Sequence, residues 1–398
     1  RSRIHFARNS GRRAAASVVA AGDALAMAFS EFRGNPQIVT ALRGALRAGR
    51  VPHALLFTGP QGVGKYTLAR LFAQAANCER LTDDACGECY TCQRIALLAD
   101  PQRLIEQGLA ERGESADAAT VERIPLILQS HPDVWVLVPD PVRLKTPVVR
   151  PTLRIGQLRA VQRAAYFQPM GRRRVFIIDH ADTMKWDVAS VFLKILEEPP
   201  GSATLILTAP SPYALLPTIV SRCLQFHFAP LASSEVEALL KEKSGLGPAA
   251  ARTAAQLAEG SVGYALEIDV EKESQRRRDA LKLLDRASRG EEFGPLFAQT
   301  AAISKDREIS FEEHLAVFYS LLSDLLEISS GIPAPQVRNL PLRKDLDSLA
   351  RRVNVAWVMQ AIRGIDQLAA GIRRNLNKQL ALEAFAAQLA PAVSSRRV

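Results

Sequence analysis

With 398 residues, 47% of them hydrophobic and 23% charged, the chain has the make-up of a folded protein long enough for about two or three domains. No run of about 18 apolar residues occurs, so no helical membrane span is expected. The formal net charge of +10 favours a polyanionic partner, nucleic acid first. Four of the five cysteines lie between positions 78 and 92. A secreted disulfide framework would spread its cysteines and follow a signal peptide, so a reducing cytoplasm is the expected compartment.

Residues 1–26 are rich in Arg and carry an Ala/Val run. That composition suits an organelle transit peptide. The preferred reading is an extension lying outside the fold, with Met27 as the true first residue, because patterned sequence begins just after it. From about residue 28, short apolar runs alternate with helical patterns, the signature of an α/β domain with a sheet flanked by helices. His53–Thr58 reads as a buried strand, and Leu68, Leu71, Phe72 and Ala75 recur at helical spacing after it.

Between them lies Gly59-Pro60-Gln61-Gly62-Val63-Gly64-Lys65. A glycine-rich turn from strand to helix lets backbone N–H groups face phosphate oxygens, with the helix N-terminus and Lys65 adding positive charge. Gly59, Gly62, Gly64, Lys65, Tyr66 and Thr67 are therefore the candidate nucleotide-binding residues, with ATP and Mg²⁺ as the implied ligands. The pattern wants Ser or Thr directly after the lysine to hold Mg²⁺. Tyr66 stands there, and Thr67, one place later, is rotated by about 100° round the helix.

Cys78, Cys86, Cys89 and Cys92 follow as C-x7-C-x2-C-x2-C. The short spacings let a tight turn aim thiolates at one ion, and Cys78 completes the tetrahedron from the end of the preceding helix. A structural Zn²⁺ is the favoured occupant. An iron–sulfur cluster shares part of the pattern but typically takes its fourth cysteine downstream, and a redox pair is a third option. Residues 95–130 read as one or two surface helices without an assigned role.

Val134–Val138 is a second strand candidate. From 141 to 175 the chain carries Arg143, Lys145, Arg150, Arg154, Arg159, Arg163, Arg172, Arg173 and Arg174 without one acid. Arg159 and Arg163 lie four apart on a helix candidate near Ile155–Phe167 and share its face. Val175–Ile178 is a third strand, ending in Asp179, a carboxylate placed to hold Mg²⁺ directly or through water. His180 follows, either a proton acceptor or a surface histidine at a strand end. Ala189, Phe192, Leu193 and Leu196 form a helical stripe that Pro199 and Pro200 end, and Thr204–Leu207 is a fourth strand. After Pro230 the pattern turns helical. Ser234 with Glu237 suggests a capping box. Val317, Phe318, Leu321, Leu322 and Leu325 form one apolar stripe, and Met359, Ile362, Ile365, Leu368 and Ile372 another.

The P-loop, the cysteine cluster, His131-Pro132-Asp133, the Asp179 strand, Leu196-Glu197-Glu198-Pro199-Pro200 and Ser221-Arg222-Cys223 occur in that order. The set resembles the AAA+ clamp-loader family of bacterial DNA polymerase III, the gamma/tau and delta-prime subunits. The resemblance implies a P-loop AAA+ domain over 27–230 with a zinc-binding insert at 78–92, a helical lid over 231–275 and a helical collar over 276–398. It implies gamma/tau and delta subunits, the sliding clamp and primed DNA as partners. It makes Arg222 an arginine finger acting in trans on a neighbour's ATP, and Arg159 and Arg163 contacts to DNA phosphates. Where active members carry Ser or Thr, Glu and a lid Arg, this chain has Tyr66, His180 and Gly263. Ala209 and Pro210 replace a polar sensor pair. Those departures resemble delta-prime, a holoenzyme subunit with little or no ATPase activity of its own. The alternatives are an active gamma/tau-like motor and a zinc-stabilised DNA-binding module with a vestigial P-loop.

Overall fold

The computed structural model describes residues 28–113, 118–141, 151–290, 293–306, 311–333, 335, 337–372 and 377–390. The 1–26 extension, Arg143, Lys145 and Arg150 lie outside the described residues. The described residues form two compact units, one within Arg1–Gly247 and Gly260–Glu267, the other within Pro248–Glu259 and Ile268–Val398.

The first unit contains six strands: β1 (Ala54–Thr58), β2 (Ile127–His131), β3 (Val134–Leu137), β4 (Arg174–Ile178), β5 (Ala203–Ala209) and β6 (Leu224–His227). They form one sheet in the order β2-β3-β4-β5-β1-β6. Every pairing is parallel except β2 with β3. The helices are α1 (Pro36–Arg47), α2 (Lys65–Asn77), α3 (Tyr90–Ala96), α4 (Pro101–Arg112), α5 (Ala118–Arg123), α6 (Ile155–Ala165), α7 (Trp186–Glu197), α8 (Pro217–Val220) and α9 (Ser233–Lys243). Central strands read as near-continuous apolar runs because both sheet faces are covered. Leu55 and Phe57 of β1 join Val175 and Ile177 of β4 in the layer with α1 and α2. Ala54, Leu56, Phe176 and Ile178 point the other way, into the layer with α6 and α7.

The four expected strands are present, and two were missed. Both are edge strands with polar residues in their short span: Gln129, Ser130 and His131 in β2, Gln225 and His227 in β6. The segment 95–130 also gains a role. Arg112, at the end of α4, forms a buried ion pair with Asp140 at 2.7 Å, so α4 is tied to the sheet beyond β3.

His131-Pro132-Asp133 is the turn between β2 and β3. Asp133 is fully buried and accepts the backbone N–H groups of Met170 at 3.1 Å and Gly171 at 2.6 Å. Arg174 Nη2 lies 3.2 Å from its carboxylate. The same guanidinium donates to the carbonyl of Ala164 at the end of α6. One carboxylate thus ties together the starts of β3 and β4, the end of α6 and the turn between α6 and β4.

The lid segment departs from its expected cap. α9 has Ala232 at its N-cap, and Glu235 accepts the Ala232 N–H. Ser234 lies inside the helix and Glu237 pairs with Lys241. An Ala N-cap supplies no side-chain acceptor, so only the acidic half of a box forms. α10 (Pro248–Leu257) belongs to the second unit, and α11 (Val262–Glu267) to the first.

The second unit continues with α12 (Val270–Arg289), α13 (Phe293–Lys305), α14 (Phe311–Ser329), α15 (Arg343–Ala350), α16 (Val355–Ile372) and α17 (Lys378–Leu389). The α14 stripe is core as expected, and so are Ile362, Ile365 and Leu368 of the α16 stripe, but Met359 is not. Val358, Ala361, Ile365 and Leu368 are buried, whereas Met359 is 38% exposed. Arg277 is buried among Glu273, Asn339 and the Leu257 carbonyl.

Replacing Asp133 by Ala leaves Arg174 and two turn amides without their acceptor. Breaking a buried pair in this way costs about 3–5 kcal/mol, so chemical denaturation of Asp133→Ala is expected to show a loss of that size. A loss under about 1 kcal/mol would mean that the carboxylate does not hold the turn.

Candidate nucleotide and metal sites

The loop 59–64 leaves the carboxyl end of β1, where open α/β sheets bind ligands. Gly59, Gly62 and Gly64 have φ of 142°, 74° and 93°, values that glycine adopts at little cost. Lys65 opens α2 and folds its ammonium back into the turn. Its Nζ donates to the carbonyls of Gly59 at 2.7 Å and Pro60 at 2.6 Å. Burial lowers its pKa, with Asp179 and Asp182 pulling the other way.

Tyr66 is turned away from the loop. Its hydroxyl donates to the Leu98 carbonyl at 2.6 Å, its ring packs against the apolar layer of α1 and α2, and burial pushes its pKa upward. A phenol held in this way supplies no oxygen to a cation at the loop.

β5 lies between β1 and β4, so its end separates the loop from Asp179. Thr208 fills that position. Its Oγ1 donates to Asp179 Oδ1 at 2.5 Å and accepts the His180 N–H at 3.0 Å. Thr208 was not among the expected site residues; its signal in the sequence is one of only two hydroxyls, with Thr204, in the buried run Ala203–Ala209. His180 has φ 51° and ψ 51°, a left-handed conformation that His tolerates better than most residues. Its ring is 46% exposed, with Nε2 3.9 Å from Asp179 Oδ2.

The lid segment lies directly on the loop. The Gly263 N–H donates to the Gly62 carbonyl at 2.9 Å. A Cβ at Gly263 would stand 3.2 Å from both Cα and O of Gly62, and a Cβ at Gly62 would collide with the Ser261 hydroxyl. Glycine faces glycine, and a side chain at 263 would require one of the two backbones to give by a few tenths of an ångström.

Arg222 follows α8 at the surface. Its guanidinium meets Glu197 Oε1 at 2.9 Å and the Thr218 carbonyl at 3.0 Å. The two side chains are 36% and 52% exposed, and pairs of this kind hold by under about 1 kcal/mol. Arg159 and Arg163 are both exposed on α6. The end of the basic stretch is not a free surface. Arg172 donates to the Leu81 carbonyl, Arg173 to Thr204, and Arg174 is the partner of Asp133. A one-signed run in sequence is therefore divided by the fold into solvent-facing and internal donors.

The four cysteines converge. The Sγ atoms of Cys78, Cys86, Cys89 and Cys92 all lie within 4.8 Å of one another. Sulfurs at about 2.3 Å from a tetrahedral zinc stand about 3.8 Å apart, so the cluster fits a four-thiolate ion. Backbone N–H groups of Leu81, Cys89 and Cys92 donate to the sulfurs of Cys78, Cys86 and Cys89, which stabilises thiolate charge. Burial works against the Cys86 thiolate, but the Cys89 and Glu88 amides outweigh it and bring the group down to about 7. Behind the cluster, Gln74 donates to the Cys92 carbonyl and accepts from the buried Arg70. Glu79 holds the N–H and hydroxyl of Thr91.

The family model described as DNA polymerase III, delta subunit, matches residues 34–232. The chain belongs to this family. The tau subunit of DNA polymerase III from Escherichia coli (strain K12) is 32% identical over 265 residues, 65% of this chain and 33% of its own length. The delta' subunit of Bacillus subtilis (strain 168) is 28% identical over 255 residues, 63% of this chain and 64% of its own. The chain spans about a third of the length of the Escherichia coli tau relative. A solved gamma subunit-related protein of Thermotoga maritima aligns with 87% of this chain and 98% of its own at 18% identity, with a TM-score of 0.35. Among the described residues, no helix is long and apolar enough to cross a membrane.

Metal analysis of protein purified in reducing buffer is expected to find one zinc per chain. Cys89→Ser removes it and lowers the melting temperature by on the order of 10 °C, as expected for losing several kcal/mol from a domain of this size. Wild-type protein without zinc would refute the assignment of the ion.

Proposed function

We propose that this chain is a delta-prime-like subunit of a DNA polymerase III clamp loader. It takes its place in a ring with gamma/tau and delta subunits and helps to load the sliding clamp onto primed DNA in the cytoplasm. Its own nucleotide pocket is incomplete, and it presents Arg222 to a neighbour's ATP. The observation that carries this reading is the contact of Gly263 on Gly62. At the lid position where a motor needs a guanidinium, this chain has a glycine packed on Gly62, too close for a side chain without a shift of the backbone.

Three further features support it. The residue after Lys65 points its hydroxyl at Leu98, away from any phosphate. Asp179, the expected metal carboxylate, is engaged by Thr208 and followed by His180, whose left-handed backbone would strain an ordinary side chain by about 1–2 kcal/mol. Arg222, in contrast, is held only by a surface carboxylate and a carbonyl, so it can transfer to a γ-phosphoryl group at small cost. There its fixed positive charge would offset charge developing in the transition state. A nucleotide bound here would use Gly59, Gly62, Gly64, Lys65 and Thr67 for phosphate and Asp179 for Mg²⁺, and the chain would hold it without turning it over. The zinc would brace the fold, since four thiolates leave no coordination position for substrate.

The pure chain is expected to show negligible ATPase activity. Arg222→Ala is expected to lower the ATPase of the complex reconstituted with gamma/tau and delta by about 10³-fold or more, the usual worth of an arginine finger. Undiminished activity in that complex would reject the in-trans role. Steady hydrolysis by the chain alone, abolished in Lys65→Ala, would instead identify a motor. Arg159→Ala and Arg163→Ala should each reduce the salt dependence of primed-DNA binding by the complex by about one phosphate contact; an unchanged slope would remove α6 from the DNA path.

A further inference from the structure

The loop bearing the four cysteines does more than close on itself. Between Cys78 and Cys86 it carries Asp83 and Asp84, and both acids reach out to the N-terminal segment. Asp84 is 8% exposed, and its Oδ1 accepts the N–H groups of Phe29 and Ala85, each at 2.7 Å. Asp83 Oδ2 binds Arg43 at 3.1 Å and Arg47 at 2.6 Å, both on α1. The segment held in this way then runs to the phosphate loop. Phe29 is fully buried, edge-on to Phe72 of α2. Phe32 lies over Gly64, close enough that a Cβ there would come within 2.9 Å of its ring. Asn35 exchanges two hydrogen bonds with the backbone of Ala229, next to Phe228, whose carbonyl faces Gly59.

We propose that the cysteine loop, once metal is bound, is the anchor of residues 29–47, and that through Phe29 and Phe32 it sets the order of the phosphate loop. Asp84 is the positioning residue of this linkage. The loop contains no helix or strand between Asn77 and Tyr90 and is tied down by few bonds besides its own, those of Glu79 to Thr91 and of Arg172 to the Leu81 carbonyl among them, so four sulfur–metal bonds would be the main restraint on its path and on the placing of the two carboxylates. The inference rests on the zinc reading for its metal dependence and on Asp84 for its route.

Hydrogen exchange on the full chain tests it, with zinc content and melting temperature measured in parallel. In Asp84→Ala the metal is expected to stay at one per chain, while amides of 29–35 and 59–64 exchange about tenfold faster. In Asp84→Asn, whose amide oxygen still accepts the Phe29 N–H, both peptides should remain within about twofold of the wild type. Cys89→Ser should lose the metal and loosen both peptides together. Unchanged exchange at 29–35 in Asp84→Ala overturns the anchor. Faster exchange at 29–35 without any change at 59–64 overturns the link to the phosphate loop, and loss of zinc from Asp84→Ala reverses the proposed dependence. If the wild-type protein holds no zinc, the metal assignment fails by itself, and Asp84→Ala still decides whether the carboxylate anchors the segment.

Discussion

The buried carboxylate of Asp133 sets the frame on which the rest of the first unit is hung. A charge with no access to water must be fully paired, and here the pairing is done by two amides of the turn before β4 and by Arg174 at its first residue. That requirement fixes the register of β4 beside β3, and with it the point at which Asp179 emerges from the sheet. Through the second bond of Arg174 to Ala164, it also fixes where α6 ends, and so which way Arg159 and Arg163 face. A short motif that looked like a family marker proves to be the place where three elements are joined.

At the opposite edge of the strands, polar groups are arranged to satisfy one another, not a ligand. Lys65 is bonded to loop carbonyls, Asp179 to Thr208, and Tyr66 to Leu98. Each group has an internal partner, so each would have to exchange one hydrogen bond for another when phosphate or metal arrives, and the net gain from such exchanges is small. Arg222 and the α6 arginines are in the reverse situation, with weak surface contacts or none that restrain them from an incoming anion. The surface arginines would thus give up less than the pocket groups on meeting an anion.

Much of this was legible in the residues. The strands β1, β3, β4 and β5 announce themselves because buried parallel strands are apolar throughout, and the loop at 59–65 because only glycine suits its backbone. The cysteine spacing sufficed to bring four sulfurs to one point. Other parts were hidden for physical reasons. β2 and β6 lie at sheet edges and carry polar residues, mostly exposed in β6 but buried at Ser130 and His131 in β2, so the apolar signal fades. Thr208 is one of two hydroxyls in a hydrophobic run, and its partner Asp179 follows β4, 29 residues earlier in sequence. The charge run at 172–174 could not reveal that Arg173 and Arg174 turn inward, since that depends on acceptors at Thr204 and Asp133. The α16 stripe holds at Ile362, Ile365 and Leu368, but at its start Val358 and Ala361, not Met359, face the core.

The glycine pair at 62 and 263 has a consequence for substitution. Exchanging Gly263, His180 and Tyr66 for Arg, Glu and Ser or Thr would meet three local obstacles. An arginine Cβ at 263 would stand 3.2 Å from Gly62, so one of the two backbones would have to give by a few tenths of an ångström. An acid at 180 has to wait for its backbone to leave the left-handed region, and a hydroxyl at 66 would abandon the Leu98 carbonyl. Each of these substitutions would disturb a contact that the present residue makes, so the three positions are tied to their neighbours and not freely exchangeable.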